Sequence, residues 1–276
     1  MTIPKVIYQS WKTKTLPPKM AEIVQKVKEM NPEYEHHLYD DNDCRNFLLT
    51  NFGQNYANAF DALIPGAFKC DFWRYAILYV NGGVYMDLDM IPQVPFREII
   101  ESDDEFVSVV DKEHQFSPKC SIYQAFLAAS QNHPILKDSF LITYINIATR
   151  RRDILDSLSM TGPVVVGVAI NLFWENVDTH RPMNSGKYSQ GIKLLTMVKD
   201  YVQDLNYNKV IKLKFDGYDP GPLNYMTSEP YTDDPRQNVR KLISYVFFGL
   251  LALLVITGFL VFFYRNKWRK SLSESR

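Results

Sequence analysis

Between Phe68 and Ile91 the chain reads FKCDFWRYAILYVNGGVYMDLDMI, and this stretch constrains the fold more than any other. Phe68 to Val80 is apolar on nearly every helical face, and a helix of that kind has to be buried. Asn81-Gly82-Gly83 closes it in the manner of a glycine C-cap. Val84 to Ile91 then reads as a strand, so a buried helix turns directly into a buried strand. On an extended strand Val84, Met86, Leu88 and Met90 face one way, and Tyr85, Asp87 and Asp89 the other. Two carboxylates on one face, about 7 Å apart by strand rise, repel by roughly 2 kcal/mol at an effective dielectric of about 20. A divalent cation, a basic side chain or protonation of one carboxylate would offset this. Hard oxygen ligands favour Mg2+ or Mn2+. A cation held by one or two carboxylates, with positions left open, suits phosphate oxygens. No Walker-type glycine loop accompanies the pair, so the diphosphate of a nucleotide-sugar fits better than a nucleoside triphosphate. A solvated loop pair is the bland alternative for any D-x-D.

The preceding helix holds three charges: Lys69, Asp71 and Arg74. Asp71 and Arg74, three residues apart, are neighbours on one face. They are expected to line a ligand cleft, with Arg74 on phosphate or a sugar hydroxyl and Asp71 orienting it; a local salt bridge is the simpler reading.

Flanking segments give the class. Ile3–Ser10 reads as a strand, Met20–Met30 as a helix, Tyr34–Tyr39 as a strand, and DDNDC as a helix start. Phe106–Val110 reads as a strand, Ile122–Ser130 as a helix or strand, and Ile135–Ile147 as a helix. Alternating strands and helices imply an α/β domain on a mainly parallel sheet, with ligands at the C-terminal strand ends. Adjacent His36 and His37 on a strand face opposite ways, which disfavours a metal pair. Arg150-Arg151-Arg152 reads as a solvated helix end, with contact to acidic lipid heads as the alternative.

The 31 basic and 31 acidic side chains give no net charge and no electrostatic footprint for nucleic acid. Three widely spaced cysteines without a CxxC pair suggest a reduced compartment rather than a disulfide framework. Leu242 to Phe263 is about 22 residues without a charge, long enough to cross a bilayer as a helix. Basic residues flank it on both sides, more of them after it. The expected organisation is a domain over 1–235, a juxtamembrane linker over 236–241, a transmembrane helix over 242–263 and a short basic tail over 264–276. The expected location is an internal, Golgi- or ER-type membrane with a single C-terminal anchor. The N-terminal MTIPKVIYQSWKTK has no apolar signal region, which favours a cytosolic domain, whereas the positive-inside rule favours a cytoplasmic tail.

Taken together, IPKVIYQSWKT, NPEYEHHLYDD, CDFWRYAILYVNGGVYMDLDM and MTGP, in this order from about residue 3 to about 170, resemble the DXD-containing glycosyltransferase family 32. That family includes fungal Golgi α-1,6-mannosyltransferases and inositol phosphorylceramide mannosyltransferases; glucosylating domains of clostridial toxins are more distant. The resemblance implies a GT-A-type, Rossmann-like domain, a GDP- or UDP-hexose donor, Mn2+ or Mg2+, and retention of anomeric configuration. By position it implies Asp89 as the direct metal ligand and Asp87 on donor sugar, ribose or metal-bound water. It likewise implies Asp71 and Arg74 on sugar and diphosphate, Tyr8, Gln9 and Trp11 near the base, and Gly82 and Gly83 at a close backbone approach. Thr161, Gly162 and Pro163 correspond to a loop on the acceptor side. The chain departs from the pattern at Tyr8, where the family often has histidine, and at Gln124, where asparagine is common. A histidine-containing Ser-Trp segment that gives many members their last metal contact is not found; Asp216, Asp219 and Asn224 are candidates to replace it. The expected activity is hexosyl transfer, mannose first, to a membrane-associated glycan or lipid. The alternatives are a membrane-tethered, inactive nucleotide-sugar-binding protein and a metal-dependent phosphohydrolase, the latter lacking further carboxylates at suitable spacing.

Overall fold

The computed structural model describes residues 2–111, 120–151, 157–215 and 230–232, all within one unit, Met1–Thr232. The candidate span 242–263, its flanks, and Asp216, Asp219 and Asn224 lie outside the described residues. Among the described residues no helix is long and apolar enough to cross a membrane.

The chain opens with β1 (Val6–Ser10), α1 (Pro18–Met30), β2 (Glu35–Tyr39), α2 (Asp41–Phe52), α3 (Gln54–Asp61), α4 (Gly66–Asn81) and β3 (Gly83–Met86). It continues with β4 (Ile91–Pro92), β5 (Phe106–Val110), β6 (Ile122–Ala129), α5 (Pro134–Ala148), α6 (Pro163–Phe173), β7 (Gly186–Tyr188), β8 (Ile192–Val198), β9 (Tyr201–Gln203) and β10 (Lys209–Lys212). Local chemistry sets the boundaries. Asp40 caps α2, its side chain accepting from the Asp43 amide while Asp43 accepts from the Asp40 amide. Prolines occupy the first turns of α1, α5 and α6, where a missing N–H costs nothing.

The sheet runs β2-β1-β3-β6-β5-β8-β9-β10-β4, with β7 beside β8. The α/β class holds, but the sheet is mixed rather than mainly parallel. β1 pairs parallel with β2 and β3, and β5 with β8; the remaining pairings are antiparallel. The reason lies in the connections: among the described residues no α-helix lies between β3 and β6, and parallel neighbours require such a crossover. Strand alternation divides the core. Tyr8, Tyr85, Leu127 and Phe106 face α4, α5 and α6, while Ile7, Val84, Met86 and Phe126 face α1 and the turn around Phe96.

α4 is the expected buried helix, and Gly82 ends it with φ +66. Gly83 follows at φ +105, and a Cβ there would stand 2.7 Å from the Val6 carbonyl oxygen. Both glycines thus bring backbone against backbone at the N-terminal end of β3, about 13 Å by strand rise from the first aspartate. Gly83→Ala should cost roughly 3 kcal/mol of stability, read as a lower denaturant midpoint. Activity per folded molecule should stay unchanged, since the strain is at the far end of the strand.

Candidate active site

β3 ends at Met86, and the aspartates lie on the turn that follows it, not on a strand reaching Ile91. The Asp87 amide makes the last ladder bond, to Ala125 O at 2.9 Å, and the Met90 amide closes the turn on Asp87 O at 3.3 Å. Aspartate disfavours strand interiors and tolerates turns, which is the physical reason for the break. The two carboxylates still sit where an α/β sheet places ligands, beyond the C-terminal ends of parallel β1 and β3.

Asp87 is held from beneath. Tyr85, two residues earlier on the same face, donates its hydroxyl to Asp87 Oδ1 at 2.5 Å. Arg74 Nη2 donates to the same oxygen at 3.1 Å, and its guanidinium lies over the Tyr85 ring at 4.3 Å. Arg74 also donates through Nη1 to Gln124 O at 2.9 Å and through Nη2 to Cys70 Sγ at 3.2 Å. Among the described residues its buried Nε has no hydrogen-bond partner. Cys70 Sγ in turn lies 2.8 Å from the Tyr85 hydroxyl and 3.1 Å from Ser10 Oγ. The expected pairing of Asp71 with Arg74 exists, at 3.5 Å. It is a buried pair rather than a cleft lining: Asp71 is 0% and Arg74 4% exposed. Asp71 accepts from Gln124 Nε2 at 2.5 Å and Thr161 Oγ1 at 2.7 Å. Tyr75 donates to Gln124 Oε1 and to the Thr161 carbonyl. Burial pushes the Asp71 carboxyl well above the usual carboxylate range, against the pull of Arg74.

Asp89 is 9% exposed. Burial first, and the Asp87 charge second, raise its pKa to about 7, while Lys214 pulls it down. Arg74 bonds Asp87, and the Lys214 charge acts on Asp89. The pair of hard oxygen donors fits a divalent cation. Among the described residues no third His, Cys, Asp or Glu completes a protein-only cage.

The other sequence candidates divide. Gln9 is buried, donating through Nε2 to Met86 O at 3.2 Å, with His36 Nε2 2.8 Å from its Oε1; it steadies the end of β3 next to Asp87. Tyr8 is core, its ring stacked on His37 at 5.8 Å. His36 and His37 face opposite ways as expected, and burial lowers the His36 pKa to about 4. Trp11 remains half-buried against Leu88, Met20 and Val24, on the side of the aspartate turn. Gly82 and Gly83 lie at the opposite end of β3. Thr161 and Gly162 lead into α6 and reach the site through Asp71 and Tyr75. Sequence reasoning gave no role to Cys70, Ser10 and Lys214, and placed Tyr85 on the face of Asp87 without giving it one. The Tyr85 role was findable, since it precedes Asp87 by two residues on one strand face.

Residues 17–106 match a family described as glycosyltransferase sugar-binding region containing DXD motif. The match covers about a third of the chain. The matched range includes α4, the Gly-Gly turn and both Asp87 and Asp89. An uncharacterized glycosyltransferase of Acanthamoeba polyphaga mimivirus is 25% identical over 64% of this chain and 68% of its own length. Inositol phosphoceramide mannosyltransferase 3 of Schizosaccharomyces pombe is 35% identical over 32% of this chain and 24% of its own. The initiation-specific alpha-1,6-mannosyltransferase of Candida albicans is 32% identical over 37% of this chain and 28% of its own. The chain therefore spans about a quarter of the fungal relatives' length in these matches.

Proposed function

We propose that this protein is a metal-dependent, retaining hexosyltransferase with a GT-A-type domain. It moves mannose, as the first sugar to test, from a GDP- or UDP-sugar to a membrane-associated glycan or glycolipid, with residues 242–263 as its anchor. The observation that carries this reading is the support under Asp87: one tyrosine hydroxyl and one buried guanidinium fix the carboxylate at the end of β3. A solvated loop pair has no use for such support, and an inactive remnant has no reason to bury an Arg–Asp network beneath it.

The resident cation, Mn2+ or Mg2+, would be held by Asp89 and Asp87; when bound it offsets the charge that develops on the leaving diphosphate. Asp87 is oriented by Arg74 and Tyr85, which both bond its Oδ1. Asp89 must give up its proton to act as a ligand, because burial holds it protonated near neutrality in the metal-free site. Lys214 adds a positive charge on the open side, where diphosphate oxygens would lie. Half-buried Trp11 beside Leu88 offers an aromatic face for the donor base. In the transfer the C1–O bond to diphosphate breaks and the acceptor oxygen bonds C1 on the same face. The acceptor's hydroxyl proton passes to the leaving phosphate, so no carboxylate nucleophile is needed.

The full chain, incubated with Mn2+ and a panel of GDP- and UDP-hexoses, should hydrolyse one donor slowly and transfer it faster when a glycolipid acceptor is added. EDTA should abolish both and Mn2+ restore them. Donor turnover indifferent to EDTA would sink the metal assignment, and tight donor binding without turnover would favour the inactive reading.

A further inference from the structure

Cys70 sits beneath the aspartate turn in surroundings unlike those of a packed thiol. A free cysteine ordinarily behaves as a small hydrophobe, as Cys44 does among core side chains. Cys70 instead meets a hydroxyl, a phenol and a guanidinium. Its Sγ lies 3.1 Å from Ser10 Oγ, 2.8 Å from the Tyr85 hydroxyl and 3.2 Å from Arg74 Nη2. Ser10 ends β1, Tyr85 belongs to β3, and Cys70 and Arg74 share one face of α4, four residues apart. The backbone ladder between β1 and β3 has stopped before Ser10, its last pair being Tyr8 and Tyr85. Beyond that pair, the thiol ties the end of β1 to the end of β3.

Counting hydrogens fixes the direction of each bond in this group. The Tyr85 hydroxyl has a single hydrogen, and it goes to Asp87 Oδ1 at 2.5 Å. Towards its other neighbours the phenolic oxygen therefore accepts. Arg74 Nη2, 3.3 Å away, can only donate to it. The thiol, too, must then give its hydrogen to the Tyr85 oxygen. That leaves the sulfur as acceptor for the Ser10 hydroxyl and for Arg74 Nη2. The result is a one-way chain, Ser10 to Cys70 to Tyr85 to Asp87, in which each hydroxyl or thiol hydrogen is used once. Burial raises the Cys70 pKa, against the pull of Arg74, in keeping with a thiol that retains its hydrogen. Bonds in such a chain polarise one another, so each donor strengthens the next. With the thiol hydrogen pointed at it, the phenol cannot turn its own hydrogen back to the sulfur, and it stays on Asp87.

We propose that Cys70 is a positioning residue for the cation site. Its thiol, fed by Ser10, holds the Tyr85 hydroxyl on Asp87 Oδ1, while the Asp87 side chain, 33% exposed, stays open to an ion. The inference rests on reading Asp87 and Asp89 as ligands of Mn2+ or Mg2+. Its consequence is that the affinity of that site depends on a sulfur two hydrogen bonds behind a ligand carboxyl. Cys70→Ser keeps one donor and one acceptor at this place in the chain of bonds, and Cys70→Ala removes both.

The test has two arms, both on the full chain without a sugar donor. In the first, free of metal, the infrared S–H stretching band of Cys70 is isolated as the difference between wild type and Cys70→Ser. It should lie below the frequency of a thiol that donates to nothing, and it should rise when the same difference is taken in a Tyr85→Phe background. A Ser10→Ala background should raise it less, because the acceptor remains and only the cooperative gain is lost. An absent band, or one indifferent to Tyr85→Phe, means that the sulfur does not donate to the phenol and overturns the proposal. In the second arm, the paramagnetic resonance signal of free Mn2+ gives the affinity of the site. Cys70→Ala should bind Mn2+ about tenfold more weakly than wild type, and Cys70→Ser should return to within about threefold of it. Equal weakening in both variants assigns Cys70 to packing alone and overturns the positioning role, as does undiminished affinity in Cys70→Ala. A wild type that binds no Mn2+ overturns the metal reading and the positioning role together, whatever the infrared band shows.

Discussion

Asp89→Asn should abolish sugar transfer while making the metal-free protein more stable. The loss of activity should be at least on the order of a hundredfold, the scale on which removing one electrostatic stabiliser of a developing charge acts. The gain in stability follows from the proton balance. In the metal-free fold burial and the Asp87 charge push the Asp89 pKa up from an ordinary 3.8 to about 7. Below about pH 4 it is protonated folded or unfolded and contributes no difference. Between about pH 4 and 7 the unfolded chain has released the proton and the folded chain retains it, so stability falls as pH rises. Above about 7 the fold must ionise a buried carboxylate beside another, and the penalty reaches on the order of 4 kcal/mol. Asparagine removes the charge and keeps the shape. Thermal midpoints in EDTA should therefore diverge between wild type and variant from about pH 4 upward and run parallel above about 7. In saturating Mn2+ the order should reverse, because only the wild type gains stability by binding the ion. Equal midpoints at pH 8 in EDTA would mean that Asp89 is not strained by its surroundings.

This trade between stability and chemistry is partly legible in the sequence and partly not. The all-round apolarity of α4, its glycine stop and the start of the following strand are local signals, and the structure keeps them within two residues, while the strand ends at Met86 rather than Ile91. The Asp71/Arg74 pairing is also local, set by helical spacing. The position of the aspartates on a turn was misread because alternation extends formally through Leu88 and Met90. Those two are buried, but by the packing of a turn rather than by a pleat. The mixed sheet was misread for a related reason: β3 to β6 are short apolar runs, which state their own direction nowhere. The partners that matter most are far apart. Gln124 and Thr161 reach Asp71 across 53 and 90 residues, and no spacing rule connects them. Lys214 reaches Asp89 from the strand end after β10, in a region whose sequence shows only a basic, aromatic run. The contacts of Tyr231 with Leu63 and Arg151 are legible only once the fold brings them together.

Arg74→Lys should retain the fold and lose most of the activity, with transfer falling on the order of a hundredfold. The argument turns on geometry rather than charge. The planar guanidinium reaches Asp87 with one nitrogen and the Gln124 carbonyl with the other, while lying flat on the Tyr85 ring. A lysine ammonium supplies a single point of contact and cannot span both partners. The charge that balances Asp71 and Asp87 survives, so the large cost of stranding buried carboxylates is avoided. That cost, about 3–5 kcal/mol, is expected for Arg74→Met, which should unfold at a markedly lower denaturant concentration. Asp87 is then left with the Tyr85 hydroxyl alone, free to rotate about its χ angles. Misplacement of a single ligand oxygen by about 1 Å is enough to cost two orders of magnitude. The split between the two variants is the informative result. If Arg74→Lys loses activity at nearly native stability, Arg74 acts by positioning Asp87. If both variants lose stability and activity in proportion, Arg74 only holds the core together. If Arg74→Lys is as active as wild type, the guanidinium fork is dispensable and the cation site does not depend on the buried network beneath it.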